Sequence, residues 1–365
     1  MYVMSLNASP SKKTGKDPDP EYSAFIMGSL WDDLESLVEA PSSFTAKAGE
    51  RGTVKPKAAF NADEDAKALR KAMKGLGTDE KMLTDILAHR SSAQRQLISA
   101  AYQKATSRML LKDLKEETSG DFRELLVALL TPPAEYDCHE VMRAIKGVGT
   151  EGDVLVEIFS SRSNQEIKAL TEVFLKETQK QLTTELEKEV SGDFSKALLL
   201  LAQGNREQGT TANVEEARED AKTLYSAGEK KWGTDEAKFI DILCRKSIPQ
   251  IRQTLVEYKN ISGKTLQQSI EAEMSGKLRE LLVAVVKCVK SQPAYFAECL
   301  HDSMKGGGTH ESTLTRIMVS RSEIDLLDIR AEFKKLYNHS LQSALQSEVS
   351  GDYGDCLKAI CGGDD

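Results

Sequence analysis

Two short strings, Met73-Lys74-Gly75-Leu76-Gly77-Thr78 and Glu117-Thr118-Ser119-Gly120, decide how this chain is read, because each returns three more times. The first comes back as Ile145-Lys146-Gly147-Val148-Gly149-Thr150, in altered form as Glu229-Lys230-Lys231-Trp232-Gly233-Thr234, and as Met304-Lys305-Gly306-Gly307-Gly308-Thr309. The second comes back as Glu189-Val190-Ser191-Gly192, Glu273-Met274-Ser275-Gly276 and Glu348-Val349-Ser350-Gly351. From positions 75, 147, 231 and 306 to glutamates 117, 189, 273 and 348 the interval is always 42 residues. Such self-similarity marks a fold built from repeated supersecondary units. The glycine loops begin 72, 84 and 75 residues apart, and the long middle interval contains a polar stretch, 204–213, that reads as a linker. The expected units are 58–130, 131–203, 214–288 and 289–365, preceded by a tail over 1–57.

Within one repeat the apolar residues fall at helical spacing. Ala62, Ala66, Leu69, Ala72 and Met73 form a first stripe; Met82, Leu83, Ile86 and Leu87 a second; Leu97, Ile98, Ala101, Tyr102 and Ala105 a third. Leu110, Leu111 and Leu114, then Phe122, Leu125, Leu126 and Leu129, complete five short helices separated by GLGT, RSS, TSR and SG. No alternating strand pattern competes. The expected fold class is all-α, with four homologous five-helix repeats.

The chain has 365 residues, 40% of them apolar and 29% charged, with a formal net charge of −8. That balance argues against nucleic-acid binding, which requires a basic footprint. It also argues against unaided docking on anionic membrane unless a positive ion stands between. Six cysteines without a CxxC pair read as reduced, mostly buried thiols of a cytoplasmic protein. The N-terminus lacks the apolar core of a secretory signal, and the longest aliphatic runs are too short to span a bilayer. Five of the nine prolines lie in the tail, which reads as mostly flexible. Inside it, over 24–39, Met27, Leu30, Trp31, Leu34, Leu37 and Val38 share one side of a helix, suited to packing on the body or to the groove of a protein partner.

The loop glycines allow positive φ and let carbonyls turn outward. Thr78, Thr150, Thr234 and Thr309 are placed to N-cap the following helix, whose first turn is acidic. Capping alone accounts for one such loop. It does not account for a glutamate kept at a fixed distance four times. Carbonyls plus one carboxylate form an oxygen site for a hard cation, and Ca2+ accepts six to eight oxygens in loose geometry. No DxDxDG loop is present, so the site is not an EF-hand. One glutamate and a few carbonyls leave the ion positive and its shell incomplete. An anionic lipid oxygen completes it, so Ca2+ and lipid help each other bind, and several loops on one face add avidity. Arg90, Arg162, Lys246 and Arg321, 15 residues after each loop, are expected to donate to helix-end carbonyls. The histidines His89, His139, His301, His310 and His339 form no metal or triad spacing, and His139 beside Cys138 is the one pairing that suggests enzymatic chemistry.

The KGLGT, KGVGT, KWGT and KGGGT loops, the glutamates before SG, and SRS after the second helix together resemble the annexin family over about 52–365. The strings DEKML, LLTPPA, GTDEAKF, ILCRKSIPQ, VSRSEIDLLDIRAEFKK and ICGGDD are similar to one vertebrate subgroup of that family. The resemblance implies a curved disc of four five-helix domains with calcium loops on its convex side. It implies a non-enzymatic cytoplasmic protein that binds acidic, phosphatidylserine-type phospholipid membranes reversibly when Ca2+ rises, with roles in membrane organisation, trafficking or aggregation and an associated phospholipase A2 inhibitor activity. Carried over by position, the metal ligands are the carbonyls of Met73, Gly75 and Gly77 with Glu117; of Ile145, Gly147 and Gly149 with Glu189; and of Met304, Gly306 and Gly308 with Glu348. Repeat three has Lys231 where a glycine is usual, and a family variant there implies Gly228, Lys231 and Gly233 with Glu273. A secondary ion site involves Leu76, Thr78 and Glu80, and Trp232 is the membrane-contact residue, suited to the interface.

Overall fold

A computed structural model of the protein describes residues 50–75, 77–146, 149–229, 233–306 and 308–363. Among them are nineteen α-helices and no strand. The first repeat is α1 (Ala62–Ala72), α2 (Glu80–Leu87), α3 (Ser92–Thr106), α4 (Leu110–Glu117) and α5 (Gly120–Leu130). The second is α6 (Pro133–Lys146), α7 (Gly152–Ser161), α8 (Asn164–Thr178), α9 (Leu182–Glu189) and α10 (Gly192–Ala202). The third holds α11 (Val214–Ala227), α12 (Glu236–Arg245), α13 (Ile248–Ser262), α14 (Leu266–Glu273) and the first half of α15 (Gly276–Met304). The second half of α15 opens the fourth repeat, followed by α16 (Glu311–Arg321), α17 (Leu326–Tyr337), α18 (Leu341–Glu348) and α19 (Gly351–Cys361). Ser291, at φ −155° and ψ 104°, breaks α15 in two and caps the second half, its hydroxyl accepting from the Ala294 amide at 3.3 Å, and Pro293 sits in the first turn that follows, where its missing N–H is no loss.

The long third helices start at strong caps. Ser91 with Gln94, and Ser163 with Glu166, form reciprocal capping boxes. The apolar stripes face one continuous core, in which Leu69, Leu83, Leu87, Ile98, Tyr102 and Leu125 have no exposed surface. Three residues of the expected stripes are exposed, Met82, Leu97 and the small Ala105. Met82 is 37% exposed and Leu97 56% exposed, because Leu83 and Ile98 next to them take the inward direction and successive helix residues point about 100° apart.

The expected role of the residues after the second helix is corrected. Arg90 forks onto Asp65 at 2.6 and 2.9 Å and keeps one carbonyl, that of His89 just past α2, at 3.2 Å, and Arg162 forks onto Asp137 at 2.7 and 2.8 Å. The acid precedes the arginine by 25 residues in both repeats; the same offset falls on Ala221 and Phe296 in the other two. Lys246 therefore turns to Glu216, while Arg321 pairs with Asp325 at 2.7 Å and lies over the Phe296 ring at 4.8 Å. A planar fork satisfies a carboxylate better than a single carbonyl. Helix-end carbonyls are instead served by other arginines, such as Arg95 at Leu87 and Arg90 (2.9 and 2.6 Å) and Arg206 at Leu243 and Lys246 (2.8 and 2.9 Å).

The expected linker and the end of the expected flexible tail are both held. In 204–213, Arg206 is gripped at both backbone groups by the Asn164 side chain, and Asn213 pairs with Gln250. At the end of the expected tail, residues 50–57 cross from the fourth repeat to the first. Arg51 forks onto Asp328, Thr53 donates to the Ile360 carbonyl at 2.7 Å, the Val54 amide donates to Ser322, and Lys57 pairs with Gln94. Gly52 is required there, since a Cβ would meet the Glu323 backbone at 2.6 Å. The helix expected over 24–39 lies outside the described residues.

Candidate metal sites

Each repeat closes its first loop with one backbone bond. The Asp79 amide donates to Ala72, Glu151 to Ala144, Asp235 to Ala227 and His310 to Ser303, at 2.9, 2.9, 2.9 and 2.7 Å. The acceptor lies seven residues back in three loops and eight back in the third, so the third loop carries one extra residue. Gly77, Gly149 and Gly233 sit at φ 88°, 92° and 86°, a region that L side chains avoid. A Cβ on any of them would meet nothing within 4 Å, so the glycines serve backbone conformation, and the space above the bend is open. Gly308, at the equivalent place in the fourth loop, does not enter that region, whereas Gly75 and Gly306 both do, at φ 126° and 104°.

The glutamates are the last residues of α4, α9, α14 and α18. After each, the chain turns sharply into a glycine at positive φ that begins the next helix, which leaves the carboxylate at an exposed helix end. Among the described residues no lysine or arginine pairs with Glu117, Glu189, Glu273 or Glu348, on a surface where Lys81, Lys188 and Lys196 all find acids. Four carboxylates are thus available to an external cation.

The loop threonine joins the two halves. Thr78 donates to the Glu117 carbonyl at 3.1 Å, Thr150 to that of Glu189 at 3.2 Å, and Thr234 to that of Glu273 at 3.3 Å. The expected N-cap role is therefore corrected. The cap falls one residue later, on Asp79, Glu151, Asp235 and His310, and Asp79 accepts from the Met82 amide at 3.0 Å. The threonine hydroxyl, one place too early for the cap, finds an orphan carbonyl at the end of the neighbouring helix. The missed signal was the constant interval of 39 residues from each threonine to its glutamate.

Of the expected ligands, Met73 caps α1, Ile145 and Met304 lie at the ends of α6 and α15, and Gly228 caps α11, all at the start of their loops. Among the described residues no backbone amide bonds the carbonyls of Met73, Gly75 or Gly77. Gly147, Lys231, Leu76 and Trp232 lie outside the described residues. Of the secondary site, Thr78 is engaged by Glu117, and Glu80 opens α2, half-buried. No group of three His, Cys, Asp or Glu side chains among the described residues could hold a metal. The donor set of each loop is backbone and carboxylate oxygen, which fits a hard cation and neither zinc nor copper.

Cys138 and His139 do not form a nucleophile and base. The Cys138 thiol is buried 3.8 Å from the Met142 sulfur, while His139 Nε2 lies 3.1 Å from both Glu177 oxygens. Burial pushes the Cys138, Cys244, Cys288 and Cys356 thiols up to about 12. Thiols held above their ordinary range contribute stability that is intact below about pH 8.5 and lost as pH rises toward 12. At pH 8 roughly a quarter of an ordinary thiol is ionised. Iodoacetamide is expected to modify none of these four rapidly in the folded protein and all of them in urea. Rapid native labelling of two or more would contradict the packing.

The fold and the loops together define an all-helical, four-repeat protein with an oxygen-rich loop and a helix-end glutamate in each unit. A family model described as Annexin matches residues 64–129, 136–201, 219–285 and 295–360, and the chain belongs to the annexin family, which is known for calcium-dependent phospholipid binding. It is similar to Annexin A3 of Homo sapiens, with 51% identity over 317 residues, covering 87% of this chain and 98% of that protein. The solved structure of annexin III, also 51% identical, superposes with a TM-score of 0.85 over 87% of this chain and 99% of its own. The calcium-bound structure of annexin (Sm)1 is 35% identical, with a TM-score of 0.78 over 92% of this chain and 99% of its own. The subgroup suggested by strings such as ILCRKSIPQ and ICGGDD is annexin III.

Proposed function

We propose that this protein attaches reversibly to anionic phospholipid membranes through four Ca2+ sites, each made of loop carbonyls and the glutamate of its own repeat. The observation that carries the reading is the threonine tie. It brings an unpaired helix-end carboxylate against a glycine bend in the same way in three repeats. In this reading Met73, Gly75, Gly77 and Glu117 hold the first ion, and the corresponding residues of the other repeats hold the rest. When bound, the ion supplies the positive charge that a chain of net charge −8 lacks, and its open coordination positions accept lipid phosphate or carboxylate oxygens. Trp232 then contacts the headgroup region. The protein works in the cytoplasm and becomes peripheral on membranes as Ca2+ rises, organising or linking them without catalysis, while the segment over 24–39 packs on the body or engages a protein partner.

Sedimentation with phosphatidylserine vesicles tests this. The protein is expected to pellet with vesicles in Ca2+ and to remain in the supernatant when a chelator is added. Pelleting that is indifferent to chelator, or absent in Ca2+, rejects the proposal. No helix among the described residues is long and apolar enough to cross a membrane, which suits attachment at the surface.

A further inference from the structure

Three of the four repeats contain a second periodic cluster, at the junction of the third and fourth helices. In repeat one Tyr102 donates to Asp113 at 2.6 Å, and Arg108 holds both oxygens of the same carboxylate at 2.8 Å. In repeat two the equivalent positions are Phe174, Lys180 and Glu185, with Lys180 3.3 Å from Glu185. In both the acid sits on the fourth helix, and the cluster is closed within the helical body.

Repeat three keeps the tyrosine and the cation as Tyr258 and Lys264, but the acid's position is Ser269. The carboxylate now comes from the loop. Glu229 accepts from the Ser269 hydroxyl at 3.0 Å and from Lys264 Nζ at 3.1 Å to both oxygens, and Ser269 in turn accepts from the Tyr258 hydroxyl at 2.9 Å. Ser269 is fully buried, and the Glu229 side chain is 18% exposed. Repeat four, with Phe333, His339 and Ala344, has no acid at this position. The loop that reaches into this cluster is also the one whose closing bond spans an extra residue.

The placement gives Glu229 a task. It follows Gly228, so fixing its side chain fixes the peptide unit that carries the Gly228 carbonyl. Its anchor, Ser269, lies on α14, the helix that ends at Glu273. An added residue lengthens the loop and raises the entropy lost on ordering it. A clamp of two donors, one of them charged, on a partly buried carboxylate opposes that loss more strongly than the long threonine contacts of 3.3 and 3.4 Å. We infer that Glu229 is a positioning residue of the third calcium loop, clamped by Lys264 and Ser269 so that the loop carbonyls and the Glu273 carboxylate ride on one rigid unit. The inference rests on the calcium reading proposed above.

The test uses full-length protein carrying Trp31→Phe, so that Trp232 is the sole tryptophan, with Ca2+ titrated in the presence of phosphatidylserine vesicles. Glu229→Gln is expected to raise the Ca2+ midpoint of the Trp232 emission change about tenfold, the size of one charge-assisted interaction. Sedimentation through the other three loops is retained. Lys264→Ala moves the midpoint in the same direction, and the exchanged pair Glu229→Lys with Lys264→Glu recovers most of the loss. Without Ca2+, the Gly228, Glu229 and Gly233 amides exchange hydrogen faster in Glu229→Gln than in the parent. An unchanged or lowered midpoint in a parent that responds overturns the clamp and leaves the calcium reading standing. A parent that shows neither emission change nor sedimentation overturns both. Should Glu229→Gln fail to fold by circular dichroism, Lys264→Ala, altered at a half-exposed side chain, decides the matter.

Discussion

Replacing Glu117, Glu189, Glu273 and Glu348 together by glutamine abolishes calcium-dependent sedimentation with vesicles and leaves the helical signal unchanged. Glutamine keeps the side-chain volume and leaves the backbone carbonyl that receives the loop threonine. It removes the charge and the bidentate pair of oxygens that a hard cation prefers. Losing one charge-assisted interaction costs about 1.5–3 kcal/mol, or roughly a ten- to hundredfold loss of Ca2+ affinity at each site. Because several loops bind one surface, losses at separate sites multiply. A single replacement therefore shifts the Ca2+ midpoint modestly, while the fourfold variant leaves no attachment. If the fourfold variant still pelleted at the parent's Ca2+ concentration, the glutamates would have no part in holding the ion.

Arg316→Met is expected to give the largest loss of stability. Arg316, on α16 of the fourth repeat, is 1% exposed. It holds Glu157 through two bonds of 2.9 and 2.7 Å and Glu140 through one of 3.0 Å. Both acids belong to the second repeat, so this arginine joins units far apart in the chain. Methionine strands the buried Glu157 carboxylate, while Glu140 keeps Arg143 at 2.8 Å, and removing one partner of a buried pair costs about 3–5 kcal/mol. The loss is read as a lower urea midpoint at pH 7. The double variant Arg316→Met with Glu157→Met recovers much of it, because the orphaned charge is gone. A change below about 1 kcal/mol in the single variant would mean that water reaches the cluster.

The repeat, the helical class and the four glutamates were legible in the sequence because each is periodic. A fixed interval survives in one dimension and needs no knowledge of contacts. What could not be read was which group each side chain meets in space. Thr78 looked like a cap because it precedes a helix, yet its partner is a carbonyl 39 residues away. Arg90 and Arg321 occupy one position of the repeat but meet acids on different sides of themselves in sequence, Asp65 before and Asp325 after. Ser269 carries no charge, so nothing local marked it as the seat of a clamp. Leu97 and Met82 belong to apolar stripes by spacing, but which neighbour turns inward depends on a few tens of degrees of helix rotation.

The strap over 50–57 has a mechanical consequence. Repeats follow one another covalently except across the seam between the last and the first, where these eight residues are stitched to Ser322, Asp328 and Ile360 on one side and to Gln94 on the other. A force applied through the preceding segment is therefore borne first by these stitches, which peel one after another instead of shearing together. Tension from anything grasping the chain upstream of Glu50 loosens that seam before it disturbs any other junction between the repeats.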